Sequence, residues 1–160
     1  MDQSDGFSRR FKFSEWPNSE VPRAAAGVYA IWRGDELIYC GMSGRSIVAD
    51  SPLPNKAYGL KTRLHSHAGG RLSGDQFCVY VANRLVLPAL TADELADFAT
   101  GRHTLDAYTR RMIHAHFEYQ FNVVATGAEA MALEDRCCRG VVFGVKPLLN
   151  PRADLSLSQK

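Results

Sequence analysis

Residues 27–41 read GVYAIWRGDELIYCG, and this stretch predicts the β-hairpin around which the rest of the chain is arranged. Strand-forming residues dominate both halves, and the central Gly34-Asp35 pair is typical of a tight turn between antiparallel strands. A glycine opens the first strand and another closes the second, which indicates either a close backbone approach or a special backbone dihedral at these points. The hairpin carries Tyr29 on its first strand and Tyr39 on its second. On spacing alone, packing in the core accounts for both phenols.

The composition is that of an ordinary globular protein. The 160 residues are 46% hydrophobic and 22% charged, with 19 basic and 17 acidic side chains and a net charge of +2. This length predicts a single domain over residues 1–160, and the balanced charge does not by itself indicate a nucleic-acid binder. No apolar run reaches membrane-spanning length, and the polar N-terminus lacks the apolar segment of a secretory signal. We therefore expect a cytoplasmic protein without membrane contact.

The four cysteines have poor spacing for a metal site. They are Cys40, Cys78, Cys137 and Cys138, and no two of them form a CxxC pair. We expect reduced and mostly buried thiols, which are typical of cytoplasmic proteins, and no structural zinc.

Caps and hydrophobic periodicity predict the remaining elements, after an N-terminal arm at 1–26. The expected helices cover 56–68, 91–100, 104–117 and 126–139. The expected strands cover 76–85, which is rich in β-branched and aromatic residues, and 117–123, where apolar residues alternate. The predicted class is α+β, with a small, mostly antiparallel central sheet of about three core strands flanked by helices.

Two predicted helices carry polar side chains on a face that should be apolar. In the first, Arg63 and His67 share a face with Leu60 and Leu64, and a snorkelling arginine is the structural alternative. In the last, Glu134 lies on the apolar stripe, where a carboxylate must pair, change its pKa or bind a cation. Departures of this kind favour a functional site.

The chemistry of these side chains suits phosphodiester hydrolysis. A carboxylate can hold a hard divalent cation such as Mg²⁺, which stabilises negative charge on the phosphate and the leaving oxygen. An arginine can brace the phosphate with planar donors, and a phenol, alone or relayed through histidine, can accept the proton of the attacking water. Because free tyrosine has a pKa of about 10, we expect positive charge beside it. A single carboxylate favours a one-metal site.

The order of these residues resembles the GIY-YIG nuclease family. GVY at 27–29 and YCG at 39–41 are similar to its paired signature, with Cys40 in place of the usual aliphatic residue. The later family elements follow in order: Arg63 in GLKTRLHSH, Glu134 in ALEDR and Asn150 in KPLLN. The resemblance covers residues 27–150 and implies the GIY-YIG nuclease fold and Mg²⁺-dependent cleavage of DNA, with Mn²⁺ able to substitute.

The resemblance implies roles for the tyrosines and for the first helix. Tyr29 would be the general base or part of its relay, and Tyr39 would position the water or the phosphate. Arg63 would hold the scissile phosphate. His67, one turn later, resembles the position at which the restriction-enzyme branch has a histidine or tyrosine that assists proton transfer. His65 points elsewhere on a helix and is the weaker candidate.

The resemblance also implies a metal ligand and marks two insertions. Glu134 would be the sole protein ligand of Mg²⁺, and Asn150 would orient Glu134 or the phosphate. Residues 47–58 and the helical block 86–115 lengthen the minimal family module. Similar insertions in restriction enzymes of this family help to embrace DNA and read its sequence.

Restriction is the first functional expectation. The resemblance implies a sequence-specific type II restriction or defence nuclease for double-stranded DNA, with a cognate DNA methyltransferase as its genetic partner. Because one site cuts one strand, we expect a homodimer. The alternatives are a repair or mobile-element nuclease that relies on a partner for specificity, a DNA-binding module that kept the fold, and a purely structural cluster. A binding module has no need for a lone carboxylate facing phosphate.

Overall fold

The computed structural model describes residues 6–151, so the ends of the predicted arm and domain, at 1–5 and 152–160, lie outside the described residues. The strands are β1 (Phe11–Lys12), β2 (Ala24–Arg33), β3 (Glu36–Ser43), β4 (Tyr58–Gly59) and β5 (Glu118–Val124). The α-helices are α1 (Leu60–Gly69), α2 (Gln76–Val81), α3 (Leu87–Ala89), α4 (Ala92–Ala99), α5 (Leu105–His116) and α6 (Gly127–Cys138). A π-helical turn, Ala82–Val86, joins α2 to α3. The fold is α+β, as predicted.

Three long antiparallel strands form the centre of the sheet, in the order β5–β2–β3. The short β1 adds to β5 in antiparallel, and the short β4 pairs with β2 in parallel. The hairpin turns at Gly34, whose φ of +57° is a conformation that glycine adopts freely. The predicted hairpin and the small, mostly antiparallel sheet are therefore confirmed, but the sheet has five strands where about three were expected.

The two faces of the sheet bury separate apolar clusters. On one face, α1, α2 and α5 contribute Leu64, Phe77 and Ile113 to a core that also contains Tyr29 and Tyr119. On the other face, α6 packs on β2 and β3 through small side chains such as those of Ala130 and Cys137. Helices α1 and α6 cover opposite faces of the sheet, and β3 is its edge strand. Side chains of the two helices can therefore approach each other around the β3 edge.

Local capping signals predicted most helix positions correctly. Thr91 and Glu94 form the expected capping box at α4, and Thr126 accepts the Glu129 N–H at the start of α6. The first helix begins at Leu60 rather than at residue 56, because Tyr58 and Gly59 pair with β2 before the helix starts. Within residues 6–151, no helix combines the length and apolarity required to cross a bilayer.

The strand predicted at 76–85 is wrong, because this segment is helical. Its β-branched and aromatic composition favoured a strand, yet the buried side chains are those of Phe77, Cys78, Val81 and Ala82. That spacing follows a helical period and not the alternation of a half-buried strand. Packing against the sheet therefore overrides the intrinsic strand preference of the segment.

Candidate active site

The β2–β3 hairpin places both signature tyrosines on the same face of the sheet. Gly41 lies opposite Tyr29 and Tyr39 lies opposite Ile31, so the two phenols are diagonal neighbours on adjacent strands. Their ring centroids are 6.3 Å apart. Tyr29 is buried and Tyr39 is half-buried, so the second phenol is the more accessible of the two.

Gly41 provides the space that the Tyr29 phenol occupies. A Cβ atom at position 41 would lie 2.3 Å from the Tyr29 Oη and 2.5 Å from its Cζ. These distances are far below van der Waals contact. Gly41, which the sequence placed at the end of the second strand, lies inside β3, and a side chain of the opposite strand requires a glycine there.

We expect Gly41→Ala to push the Tyr29 phenol away from its neighbours. Overpacking of this kind costs about 1–3 kcal/mol of stability, which urea denaturation measures. Gly69→Ala is the matched control, because a Cβ atom there has no heavy atom within 4 Å. Equal unfolding free energies for the two variants would contradict the steric argument.

Helix α1 brings Arg63 and His67 to the hairpin. Leu60 and Leu64 are fully buried and fix the rotation of the helix. Arg63 and His67 lie one turn apart on an adjoining face, the first exposed and the second buried. The Nε2 atom of His67 lies 2.8 Å from the Tyr29 Oη. Burial lowers the pKa of His67, so its imidazole is neutral at pH 7.

Asp75 lies behind His67 and was not predicted as a site residue. Its Oδ2 is 2.7 Å from His67 Nδ1 and accepts the Ser66 hydroxyl at 2.6 Å, while its Oδ1 accepts the Cys78 N–H at 3.1 Å. Burial alone would raise the pKa of Asp75, but the hydrogen bonds from His67, Ser66 and Cys78 outweigh it and lower the pKa to about 2. An aspartate directly before an apolar run is a helix N-cap signal, which the strand prediction for 76–85 obscured.

The pKa values of both signature tyrosines are raised, although the sequence analysis expected positive charge beside the catalytic phenol. Burial is the largest cause of the raised pKa of Tyr29, Tyr39 adds to it, and Arg63 opposes it only in part. Burial and then Glu134 raise the pKa of Tyr39. Both phenols therefore keep their protons at pH 7, and the Tyr29 hydroxyl lies within hydrogen-bond distance of His67 Nε2.

Helix α6 presents Glu134 at the open side of the same site. The side chain is half-buried and lies beside the backbone N–H of Met42 on β3. Burial raises the pKa of Glu134, although Met42 and the positive charge of Arg45 oppose that shift. Glu134, the polar residue predicted on the apolar stripe of the last helix, is thus a carboxylate at the edge of β3 whose negative charge neighbouring groups offset only in part.

Five of the six predicted site residues line one cleft of about 200 Å³. They are Tyr29, Tyr39, Arg63, His67 and Glu134. They come from two strands and two helices and span more than one hundred positions of the sequence. Asp75, Gln76 and Phe77, at the start of α2, complete one wall. The catalytic roles of these residues stay predictions.

Two candidates lie outside the cleft lining. The amide of Asn150 accepts the Cys40 N–H and donates to the Cys40 carbonyl, both at 2.8 Å. Its described hydrogen bonds thus fix the segment of β3 that follows Tyr39, and none of them reaches Glu134. His65 accepts the indole N–H of Trp16 at 3.1 Å, so it points elsewhere on α1, as the helical spacing predicted.

His67, Asp75 and Cys78 also form a buried group with metal-ligand atoms within 4.8 Å of one another. Two ligands about 2.1 Å from a tetrahedral Zn²⁺ ion lie about 3.4 Å apart, whereas His67 Nδ1 and Asp75 Oδ2 are separated by 2.7 Å. Burial raises the pKa of the Cys78 thiol, which disfavours the thiolate that a metal requires. The geometry is that of a hydrogen-bonded group.

Comparisons with known proteins give no family for the chain. No family model matches it, and neither a curated protein nor a solved structure gives a match. The resemblance to the GIY-YIG family therefore depends on the quoted residues and on the geometry of the cleft.

Proposed function

We propose that the chain is a Mg²⁺-dependent endonuclease of GIY-YIG type that hydrolyses DNA phosphodiester bonds. The observation that carries this proposal is one cleft in which an acceptor for a water proton, an exposed arginine and a half-buried carboxylate meet. These groups are Tyr29 with His67, Arg63 and Glu134. Each matches one requirement of phosphodiester hydrolysis: a base, a phosphate donor and a cation ligand.

Glu134 fits a single hard cation. Mg²⁺ is commonly bound through one or two carboxylates, with water and substrate phosphate as its other ligands. Glu134 lines the cleft and is half-buried, and the other carboxylate there, Asp75, is engaged by three internal hydrogen bonds. When bound, the cation would offset negative charge on the phosphate and on the leaving oxygen.

Tyr29 and His67 can remove the proton from the attacking water. The Tyr29 oxygen accepts a proton of the water while its own proton passes over the 2.8 Å bond to His67 Nε2. The water oxygen forms the new bond to phosphorus, and the bond from phosphorus to the leaving oxygen breaks. The phenol is neutral before and after this step, so its raised pKa is no obstacle.

Arg63 and Tyr39 act on the phosphate side of the cleft. The Arg63 guanidinium is exposed and remains charged, so it can donate to two phosphate oxygens at once. The raised pKa of Tyr39 keeps its hydroxyl protonated, and the hydroxyl can therefore donate to the water or to a phosphate oxygen.

Restriction of double-stranded DNA is the first biological assignment that we propose. One cleft cuts one strand, so double-strand cleavage requires a homodimer, and a restriction nuclease requires a cognate methyltransferase to protect its host. The segment 86–115 contains α3, α4 and most of α5, and this extra surface is available for DNA or for the second subunit. Repair or mobile-element processing with a specificity partner is the alternative within the nuclease class.

Metal dependence provides the direct test. Purified protein is incubated with supercoiled plasmid in Mg²⁺, in Mn²⁺ or in EDTA, with single-stranded DNA and RNA in parallel. We expect cleavage of duplex DNA in either metal and none in EDTA, since the reacting phosphate then lacks its cation. Discrete bands would support restriction, and a ladder of nicked products would favour the repair assignment. Cleavage that is unchanged by EDTA, or absent under all conditions, would overturn the proposal.

A further inference from the structure

Asp75 is held more firmly than the other polar side chains of the cleft. It is 2% exposed, and its two oxygens face donors on three sides: Ser66, His67 and the Cys78 backbone N–H. The last of these bonds also caps the N-terminus of α2. Its position is therefore set by secondary structure, independently of any substrate.

We propose that Asp75 is a positioning residue that holds His67 in the tautomer with its proton on Nδ1, so that Nε2 is free to accept the Tyr29 proton. This inference rests on the proposed nuclease function for its kinetic consequence, but its structural part does not. An ionised carboxylate can only accept hydrogen bonds, so His67 Nδ1 must donate across the 2.7 Å contact. A neutral imidazole has a single N–H, which leaves Nε2 as an acceptor for the Tyr29 hydroxyl at 2.8 Å.

The same carboxylate stabilises His67 after proton transfer. When Nε2 takes the Tyr29 proton, the imidazole becomes a buried cation, which is costly without a partner. The Asp75 carboxylate lies against that ring at 2.7 Å and supplies the opposite charge. In hydrolytic triads, exchange of the corresponding Asp for Asn leaves the geometry intact but lowers kcat by about 10⁴-fold, through the wrong tautomer.

Asp75→Asn isolates this role from folding. Asparagine is as good an N-cap as aspartate, so the cap on the Cys78 N–H is retained. The side-chain amide of the variant can instead donate a hydrogen bond to His67 Nδ1, which moves the imidazole proton to Nε2. His67 Nε2 then cannot accept the Tyr29 proton. The wild-type chain and Asp75→Asn are compared by ¹H–¹⁵N NMR of the imidazole nitrogens, with His67→Gln identifying the resonances of His67. Melting temperatures verify that each variant is folded.

We expect the Nδ1–H tautomer in the wild type and the Nε2–H tautomer in Asp75→Asn. In steady-state cleavage, kcat should fall by about 10²–10⁴-fold with KM for DNA unchanged. Asp106→Asn is the matched control, since Asp106 also accepts a backbone N–H, that of Leu72, and should leave kcat unaltered. A wild-type Nε2–H tautomer, or an unchanged kcat in Asp75→Asn, would overturn the inference. A wild-type chain that has the Nδ1–H tautomer but cuts no DNA would support the structural part and overturn the nuclease proposal alone.

Discussion

Glu134→Gln is expected to lower the rate of Mg²⁺-dependent DNA cleavage by about 10³-fold or more, which corresponds to about 4 kcal/mol of transition-state stabilisation. The amide keeps the size of the side chain and one oxygen on the cleft but removes the negative charge that attracts the cation. Glutamine keeps a side-chain oxygen beside the Met42 backbone N–H, where Glu134 places one in the native chain, so the fold should be retained. The measurement is the single-turnover rate on a defined DNA duplex over a range of Mg²⁺ concentrations.

Asp135→Asn is the matched control for Glu134. It removes a carboxylate from the neighbouring position of α6, where Asp135 is exposed and pairs with Arg139. Exposed pairs of this kind contribute about 0–1 kcal/mol to stability, so both the fold and the cleavage rate should be preserved. Equal rates for wild type and Glu134→Gln at every Mg²⁺ concentration would remove Glu134 from the proposed site.

Tyr29→Phe is the second large effect, with an expected loss of about 10²–10⁴-fold in kcat, the range associated with a general base. The phenyl ring keeps the packing against Gly41, but the oxygen that would receive the water proton is gone. His67 Nε2 then lacks its described partner, and an unpaired buried acceptor costs about 1–3 kcal/mol of stability. Activity is measured well below the melting temperature of the variant, so that unfolding does not contribute.

Tyr119→Phe separates this chemistry from stability. Tyr119 is buried on the neighbouring strand, and its hydroxyl accepts from the Asn18 amide at 3.1 Å. The control variant should therefore lose a comparable amount of unfolding free energy and keep its cleavage rate. If both variants lost activity in proportion to their stability, Tyr29 would be a packing residue and not part of the chemistry.

The sequence indicated much of the cleft because two of its signals are local. The i, i+4 spacing of Arg63 and His67 on a helix places them on one face regardless of what covers them. The tight turn at Gly34 fixes the hairpin that carries both tyrosines. These features are set by residues that are close in the sequence, so sequence patterns can predict them.

The contacts of Asp75 and Asn150 could not be predicted from local sequence signals. Asp75 precedes a segment with strand-like composition, and only its packing as a helix turns the aspartate into an N-cap that faces His67. Asn150 was predicted to orient Glu134 or the phosphate, but its described hydrogen bonds are to the Cys40 backbone, 110 positions earlier. Both outcomes depend on which hydrogen-bond donors and acceptors in distant parts of the chain still lack a partner after the core has packed.

The α+β class, the hairpin, the caps of α4 and α6 and five residues of the cleft were predictable from the amino-acid sequence. Turn chemistry, capping and periodicity are properties of a few consecutive residues, so they are present before the chain is compact. Three features depend on the packed chain: residues 76–85 are helical, burial raises the pKa of both signature tyrosines, and the Asp75 carboxylate lies 2.7 Å from His67 Nδ1. The physical reason is that burial and long-range hydrogen bonding depend on contacts between distant parts of the chain, and these contacts outweigh local preference where the two disagree.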